Sequence, residues 1–402
     1  VLRSHKIRLE PDNVQASGLA RAAGCARFAW NWGLAWWQSE YERYKAGERE
    51  KPPNQLEVRR VLNSLKREQF PWMLESTKCA PQEALINLGR AFDNFCSCRA
   101  KYPKFKKKGF KDSFKLSSGN FAVSGNRLRI PNVGWIMMSE LPRFDGAIQT
   151  VTVSRRAGEW FAALTIDTTE PPKLPATGRT VGVDVGVREF VTQDGDLLQT
   201  PRALRKAERK LKRAQQALSR KQSGSANRAK ARRRLANLHA KIADTRSDWI
   251  HKLTSKLVET YDSIAIENLN VRGMARNRHL AKSVLEAGFY EFRRQLEYKT
   301  ALAGRTLVVA ERWFASSKMC SACGAKTKQR MTLDVREWAC KSCGTRHHRD
   351  VNAATNLDHL NTPGVPRCQP VESSPPLPTN GTVDGQAASV KQEPDSALNE
   401  VA

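Results

Sequence analysis

No run in the 402-residue chain approaches the roughly 18 uninterrupted apolar residues that a membrane helix needs. The opening residues Val1-Leu2-Arg3-Ser4-His5-Lys6 lack the apolar stretch of a secretory signal. They also lack Met, which points to a trimmed chain or an unusual start. Acids are scarce: 40 Asp and Glu face 68 Lys and Arg, a formal charge of +28. There is no internal repeat. Apolar residues make up 40%, lean but enough to exclude wholesale disorder, and the length allows two or three domains. The expectation is a soluble intracellular protein.

A charge of this size opposes compactness, and a polyanion relieves it by giving up condensed counterions as its phosphates are neutralised. A scattered solvated surface or a basic membrane-surface protein is the alternative, and position along the chain decides. Residues 99–115 hold eight basic residues and one acid, Asp112, interleaved with Tyr102, Phe105, Phe110 and Phe114. Cations suit phosphates and flat rings suit unpaired bases. Lys104, Lys106, Lys107 and Lys108 are therefore candidate nucleic-acid contacts, with a solvated loop as the alternative. From Arg202 to Lys256, 18 basic residues face three acids. Leu204, Leu211, Leu218, Leu235, Leu238 and Ile242 fit two amphipathic helices broken at Ser223-Gly224-Ser225. The one-sided charge makes Arg209, Lys212, Arg213, Arg232 and Arg233 candidates for tracking a phosphate backbone.

Around these stretches the pattern alternates between strand and helix. His5 to Leu9 alternates like a half-buried strand, and helical spacing follows from Val14 to Lys45, with Trp30, Trp32, Trp36, Trp37, Tyr41 and Tyr44 read as core. Further helices are expected near Gln55 to Gln69 and Pro81 to Arg99. Strands are expected at Arg127 to Pro131, Thr150 to Val153 and Trp160 to Ile166, joined by the early strand so that the helices form an insertion. A proline-rich linker from Pro171 to Gly178 precedes buried strands at Val181 to Val187 and Asp262 to Glu267. A helix over Ser283 to Ala303, a strand at Thr306 to Ala310 and a helix from Asp350 to Leu360 complete the core. The stretch 361–402, with seven prolines, five acids and two basic residues, is expected to be disordered.

Nine cysteines do not pair neatly. Cys25, Cys79, Cys96, Cys98 and Cys368 read as reduced thiols. The other four form Cys320-x2-Cys323, sixteen residues, then Cys340-x2-Cys343, each pair followed by a glycine, Gly324 or Gly344. Four thiolates at this spacing match a closed, structural zinc site that folds a small ribbon.

Three carboxylates stand out. Asp184 interrupts an apolar strand, Glu267 ends another, and Asp350 opens a helix. A buried acid is costly unless paired or metal-bound, and neither strand offers a local cation. Converging at strand ends, the three would hold two divalent cations roughly 3.5–4 Å apart, Mg2+ or Mn2+, for attack of water on a phosphodiester. Singly, each reads as a cap or salt-bridge partner, Asp350 as an N-cap.

Gly182-Val183-Asp184-Val185-Gly186, Ile266-Glu267-Asn268-Leu269, the Cys320 to Cys343 ribbon and Arg349-Asp350-Val351-Asn352-Ala353-Ala354 together resemble the TnpB family. These are OrfB-type proteins of insertion sequences, related to compact type V CRISPR effectors. Arg27-Phe28-Ala29-Trp30-Asn31 and Gly134-Trp135 extend the resemblance over roughly residues 5 to 360. It implies a multidomain α+β and α/β chain: a RuvC-like (RNase H fold) nuclease domain over 173–313 and 348–360, interrupted by a four-cysteine zinc ribbon over 314–347. A small β-barrel-like wedge domain over 1–12 and 116–172 would carry an inserted helical recognition lobe over 13–115. The resemblance further implies an RNA-guided, metal-dependent endonuclease cutting double-stranded DNA beside a short transposon-associated motif. A guide RNA from the transposon end and target DNA would be its partners, the chain acting as a cytoplasmic monomer. Asp184, Glu267 and Asp350 take the catalytic positions. Lys78 and Gln82 match positions that contact the adjacent motif. One departure is His347-His348-Arg349-Asp350, where the family usually has His-Asp-Arg-Asp. The alternatives are a guide-dependent repressor that does not cut and a transposase acting on its own element, although no convincing helix-turn-helix is seen.

Overall fold

The computed structural model describes residues 1–109, 111–328 and 335–362. Phe110, Cys368 and the proline-rich stretch from residue 363 onward lie outside the described residues. No helix among the described residues is long and apolar enough to cross a membrane.

The first half is built on a seven-stranded antiparallel sheet. Its strands are β1 (Leu2–Glu10), β2 (Ser113–Ser117), β3 (Ala122–Ser124), β4 (Arg127–Ile130), β5 (Gly134–Met138), β6 (Ala147–Arg156) and β7 (Glu159–Asp167), in the open order β2-β6-β7-β1-β5-β4-β3. Alternation dictates the pairing: Ile7 and Leu9 on β1 and Ala162, Leu164 and Ile166 on β7 all turn to one buried face. Between β1 and β2 run α1 (Asn13–Lys45), α2 (Gln55–Leu65) and α3 (Cys79–Cys96). Asp12 starts α1 with a capping box closed by Gln15. Of the aromatics read as core, Trp30 is buried and Trp37 stacks on Phe92 at 4.2 Å, whereas Tyr41 and Tyr44 are exposed where α1 runs past its neighbours. β2 falls inside the basic stretch and straddles the expected boundary at residue 115, because Phe114 and Leu116 supply a buried alternation that the surrounding lysines obscure.

The second half centres on a five-stranded sheet ordered β10-β9-β8-β11-β12. It comprises β8 (Thr180–Val185), β9 (Glu189–Thr192), β10 (Leu197–Gln199), β11 (Ser263–Ile266) and β12 (Thr306–Val309); β8, β11 and β12 are parallel and β9 and β10 antiparallel. The crossover from β8 to β11 contains α4 (Ala203–Ser219) and α5 (Ala226–Thr260). Then come α6 (Val271–Arg276), α7 (Ala281–Ala287) and α8 (Phe289–Ala303). The single helix expected over Ser283 to Ala303 is two, broken at Gly288, whose φ of +73° few other residues adopt. Val181, Val183, Ile264 and Ile266 pack with Ile250, Leu257, Phe292 and Leu296 of α5 and α8 on one face. Ala265, Val308 and Leu357 pack on the other, against α9 (Arg349–Asp358). Between β12 and α9 lies the cysteine-rich segment with its hairpin of β13 (Glu337–Ala339) and β14 (Arg346–His348), which runs directly into α9.

Candidate active site and cysteine cluster

Asp184 and Glu267 are neighbours by register. Val183 pairs with Ile266 across parallel β8 and β11, so the next residue on each strand is a carboxylate at the same sheet end. Asp184 is two residues beyond Gly182 and shares its face of the sheet. That face is covered by α9 at close range: a Cβ on Gly182 would sit 1.9 Å from Ala354 O and 2.4 Å from Asp358 N. Asp350 precedes Ala354 by four residues, one helical turn, and so lies on the same side of α9. His348, not Asp350, occupies the N-cap position, so the carboxylate is not spent on capping.

Three acids in one electrostatic neighbourhood strain one another. Burial is the largest cause raising the pKa of Asp184 well above the carboxylate range, and the charges of Glu267 and Asp350 add to it; Arg349 and the Val185 amide oppose. Asp184 nonetheless keeps partial contact with solvent. Burial also raises Glu267, offset by a hydrogen bond from Ser316 and by Arg349, with Asp350 raising it further. Asp350 is buried and holds cations on both oxygens: Arg336 Nη1 lies 2.5 Å from Oδ2, and Arg349 Nε and Nη2 lie 3.0 Å from Oδ1. Neither strand carries a cation in its own sequence. These two arginines come from the hairpin and from the residue beside Asp350, where adjacency of Arg349 was the available signal.

Among the described residues, the four cysteines alone form a set of three or more metal-ligating groups whose donor atoms all lie within 4.8 Å of one another; the three carboxylates are spread more widely. An all-oxygen group of mutually repelling acids, each with its pKa raised or its charge met by arginine, fits a hard divalent cation. The cysteines fit zinc. Cys320 and Cys343, and Cys323 and Cys340, approach to 3.7 Å. Gly324 and Gly344, at φ +73° and +75°, each donate to the carbonyl of the first cysteine of their pair at 2.8 Å, giving two matching turns. The Thr345 hydroxyl and amide pull Cys343 down to about 6, whereas at Cys323 the Ala325 amide is outweighed by hydrogen bonds among the thiols, which leave it raised to about 12, so the protons are shared unevenly over the four sulfurs. His347 Nε2 lies 3.0 Å from Cys320 Sγ, with its ring against Trp338. The departing residue, His348 where the family has Asp, is exposed on β14 opposite Glu337, and the charge of Asp350 two residues on still acts on Asp184. Cys25 and Cys79 are buried free thiols, and Cys96 and Cys98 are exposed ones.

The candidate nucleic-acid contacts fall on two surfaces. Lys78 is exposed before α3, and Gln82 is half-buried in its first turns. Lys104, Lys106, Lys107 and Lys108 are exposed on a loop pinned to α1 by its backbone: Trp30 Nε1 donates to Lys104 O at 3.0 Å, and Asn31 exchanges hydrogen bonds with the Lys106 amide and carbonyl at 2.7 and 3.0 Å. The Lys106 ammonium covers the Trp30 ring at 3.8 Å, and loss of hydration there lowers it to about 8. Arg209, Lys212 and Arg213 on α4 and Arg232 and Arg233 on α5 are exposed. Arg233 is also structural, packing over Gly158 where α5 meets the β6–β7 turn.

Two further features arise only in the folded chain. A cavity of about 340 Å³ beside Glu267 is lined by Arg272, Tyr290 and Arg293, and Arg293 donates to Asn268 Oδ1 at 2.9 Å. A groove of about 1460 Å³ between the sheet of β1 and the helices α5 and α8 carries Arg143, His251, Lys252, Lys256 and Lys299. Both bring together residues too far apart in sequence for any spacing to reveal.

Comparison with known proteins gives three family matches. The OrfB_IS605 family, described as "Probable transposase", matches residues 163–278, and a "Cas12f1-like, TNB domain" matches 289–357. A "Helix-turn-helix domain" matches 1–46, where the structure has β1 and the single helix α1. Among solved structures, a Cas12f1 chain from a complex with sgRNA and target DNA shares the fold, at a TM-score of 0.54 and 15% identity over 84% of this chain and 81% of that one. A protein of Escherichia coli K12, InsQ, provisionally named an RNA-guided DNA endonuclease, is 29% identical over 89% of this chain and 91% of its own. A Streptomyces pristinaespiralis protein of the same provisional name is 38% identical over 89% of both chains. On that identity and coverage, the chain belongs to the TnpB family.

Proposed function

We propose that this protein is an RNA-guided DNA endonuclease that hydrolyses phosphodiesters at Asp184, Glu267 and Asp350. The observation that carries the reading is that these three acids, from β8, the end of β11 and the first turn of α9, lie at one end of one sheet and act on one another electrostatically. Divalent cations, Mg2+ or Mn2+, would be held by these carboxylates and would supply an activated water and charge stabilisation at the phosphate. The chain's own part is to orient the acids through the register of β8 and β11, to hold Glu267 through Ser316, and to bind the strand beside them. Arg272, Arg293 and the ring of Tyr290 in the adjoining cavity suit a phosphate backbone and an unstacked base.

The same reading assigns the parts. Residues 173–313 and 348–360 form the RuvC-like nuclease domain, and 314–347 its zinc ribbon, with Cys320, Cys323, Cys340 and Cys343 as ligands. The strands of 1–12 and 116–172 act as a wedge domain and 13–115 as a recognition lobe. Guide RNA lies along the basic loop and the arm of α4 and α5, and Lys78 and Gln82 approach the motif beside the target. Specificity comes mainly from base pairing. The work is done by a monomer in the bacterial cytoplasm, on DNA.

One observation favours a second reading, guide-dependent DNA binding without cutting: Arg336 and Arg349 already satisfy the Asp350 carboxylate. The transposase reading has the family description behind it, and a helix-turn-helix family model matches residues 1–46, which form one strand and one helix. Sequencing the RNA that co-purifies with the chain, then supplying a plasmid matched to it with Mg2+, tests the proposal: cutting supports it, and retention without cutting supports the second reading.

A further inference from the structure

We infer that Ser316 is a positioning residue for Glu267, held to that task by Asn352 and Asn356 of α9; the inference rests on the nuclease reading above. Ser316 is buried on the approach to the first cysteine pair, four residues before Cys320. Its hydroxyl donates to Glu267 Oε1 at 2.5 Å. Such a charge-assisted bond fixes one carboxylate oxygen and leaves the other available.

The main chain of the same residue is gripped by α9. Ser316 O accepts from Asn356 Nδ2 at 2.8 Å and from Asn352 Nδ2 at 3.4 Å. Both amides also reach Met319 O, at 2.7 and 2.8 Å, and Asn352 Oδ1 accepts from the Ser321 amide at 2.9 Å. The two asparagines are 2% and 1% exposed, so these bonds form away from competing water. They lie four residues apart on one face of the helix that also carries Asp350. The turn before the cysteines therefore links Glu267 to α9. A shift of this turn against α9 displaces one carboxylate relative to another, which ties the seating of the ribbon to the geometry of the acids.

The test compares Ser316→Ala and Ser316→Thr in complexes loaded with guide. Three quantities are read: affinity for target DNA, the Mg2+ concentration giving half-maximal cleavage, and Mn2+ binding by electron paramagnetic resonance. Ser316→Ala is expected to keep target affinity and to raise the Mg2+ midpoint roughly five- to tenfold, with Mn2+ binding weakened in step. Ser316→Thr retains the hydroxyl and restores both values. Asn356→Leu, similar in shape without the donor, shifts them less because Asn352 still holds the carbonyl. If Ser316→Ala does not fold, Ser316→Cys replaces it as a weaker donor of similar volume, with an intermediate shift expected. An unchanged midpoint and unchanged Mn2+ affinity in the Ala or Cys variant, or a Thr variant as impaired as Ala, overturns the inference. Failure of the unmutated complex to cut at any Mg2+ concentration counts instead against the nuclease reading, and Mn2+ binding then still decides the role of Ser316.

Discussion

The carbonyl oxygen of Ala354 lies 1.9 Å from where a Cβ on Gly182 would stand, so α9 rests on β8 with no side chain between them. This contact sets the distance from Asp350 to Asp184, two residues along the same strand. Gly182→Ala is therefore expected to push α9 off the sheet, because the clash is with backbone and cannot be relieved by a rotamer. A loss of about 1–3 kcal/mol in stability, typical of overpacking, should appear in thermal denaturation. Cleavage should fall much further than folding does.

Asp184 is costly to the fold when ionised. Its folded pKa is raised, so its contribution to stability is present below the unfolded value near about pH 4 and is lost as pH rises through the folded value. With no divalent cation added, Asp184→Asn is expected to melt higher than the unmutated protein. The difference should be small near pH 4 and grow toward pH 8. Calorimetry across that range checks the sign, and the same variant should not cut.

On the proposed reading, Arg336 would compete with a cation for Asp350. Its side chain is 48% exposed, so the pair is screened and worth at most about 1 kcal/mol. Arg336→Ala should lower the Mg2+ concentration for half-maximal cleavage about two- to fivefold, the opposite sign to Ser316→Ala. A titration of cleavage rate against Mg2+ distinguishes them.

The exposed cations of α4 should act through phosphates and not through sequence. Replacing Arg209, Lys212 and Arg213 together by Ala is expected to weaken binding of unrelated RNAs equally. The salt dependence should flatten by about 0.7 per lost contact on single strands, or about 0.9 on duplex. Arg233→Ala should in addition lower the melting temperature, because its guanidinium packs over Gly158.

Much of this candidate site was legible in the sequence because the residues proposed to build it carry local signatures. Asp184 betrays itself as an acid inside Val181 to Val187, and the cysteine spacing stands out without any neighbour. The long helices α1 and α5 follow from apolar period and caps. What stayed hidden depends on chain reversals. The strand β2 is masked by lysines on both sides, and the break at Gly288 is a matter of one dihedral angle. Ser316, Arg336 and Arg293 reach their carboxylate or its neighbour only after the sheet, hairpin and helices have assembled, and no spacing in the primary order announces such partners.

The most direct test of the account is cleavage of a guide-matched plasmid by the RNA-loaded protein with Mg2+, run beside Asp184→Ala, Glu267→Ala and Asp350→Ala. The account predicts cutting by the unmutated protein that needs both guide and metal, with each variant still binding the target and none cutting it. Cutting that survives Asp184→Ala, or tight target binding by the unmutated protein with no cutting at any Mg2+ concentration, would contradict it.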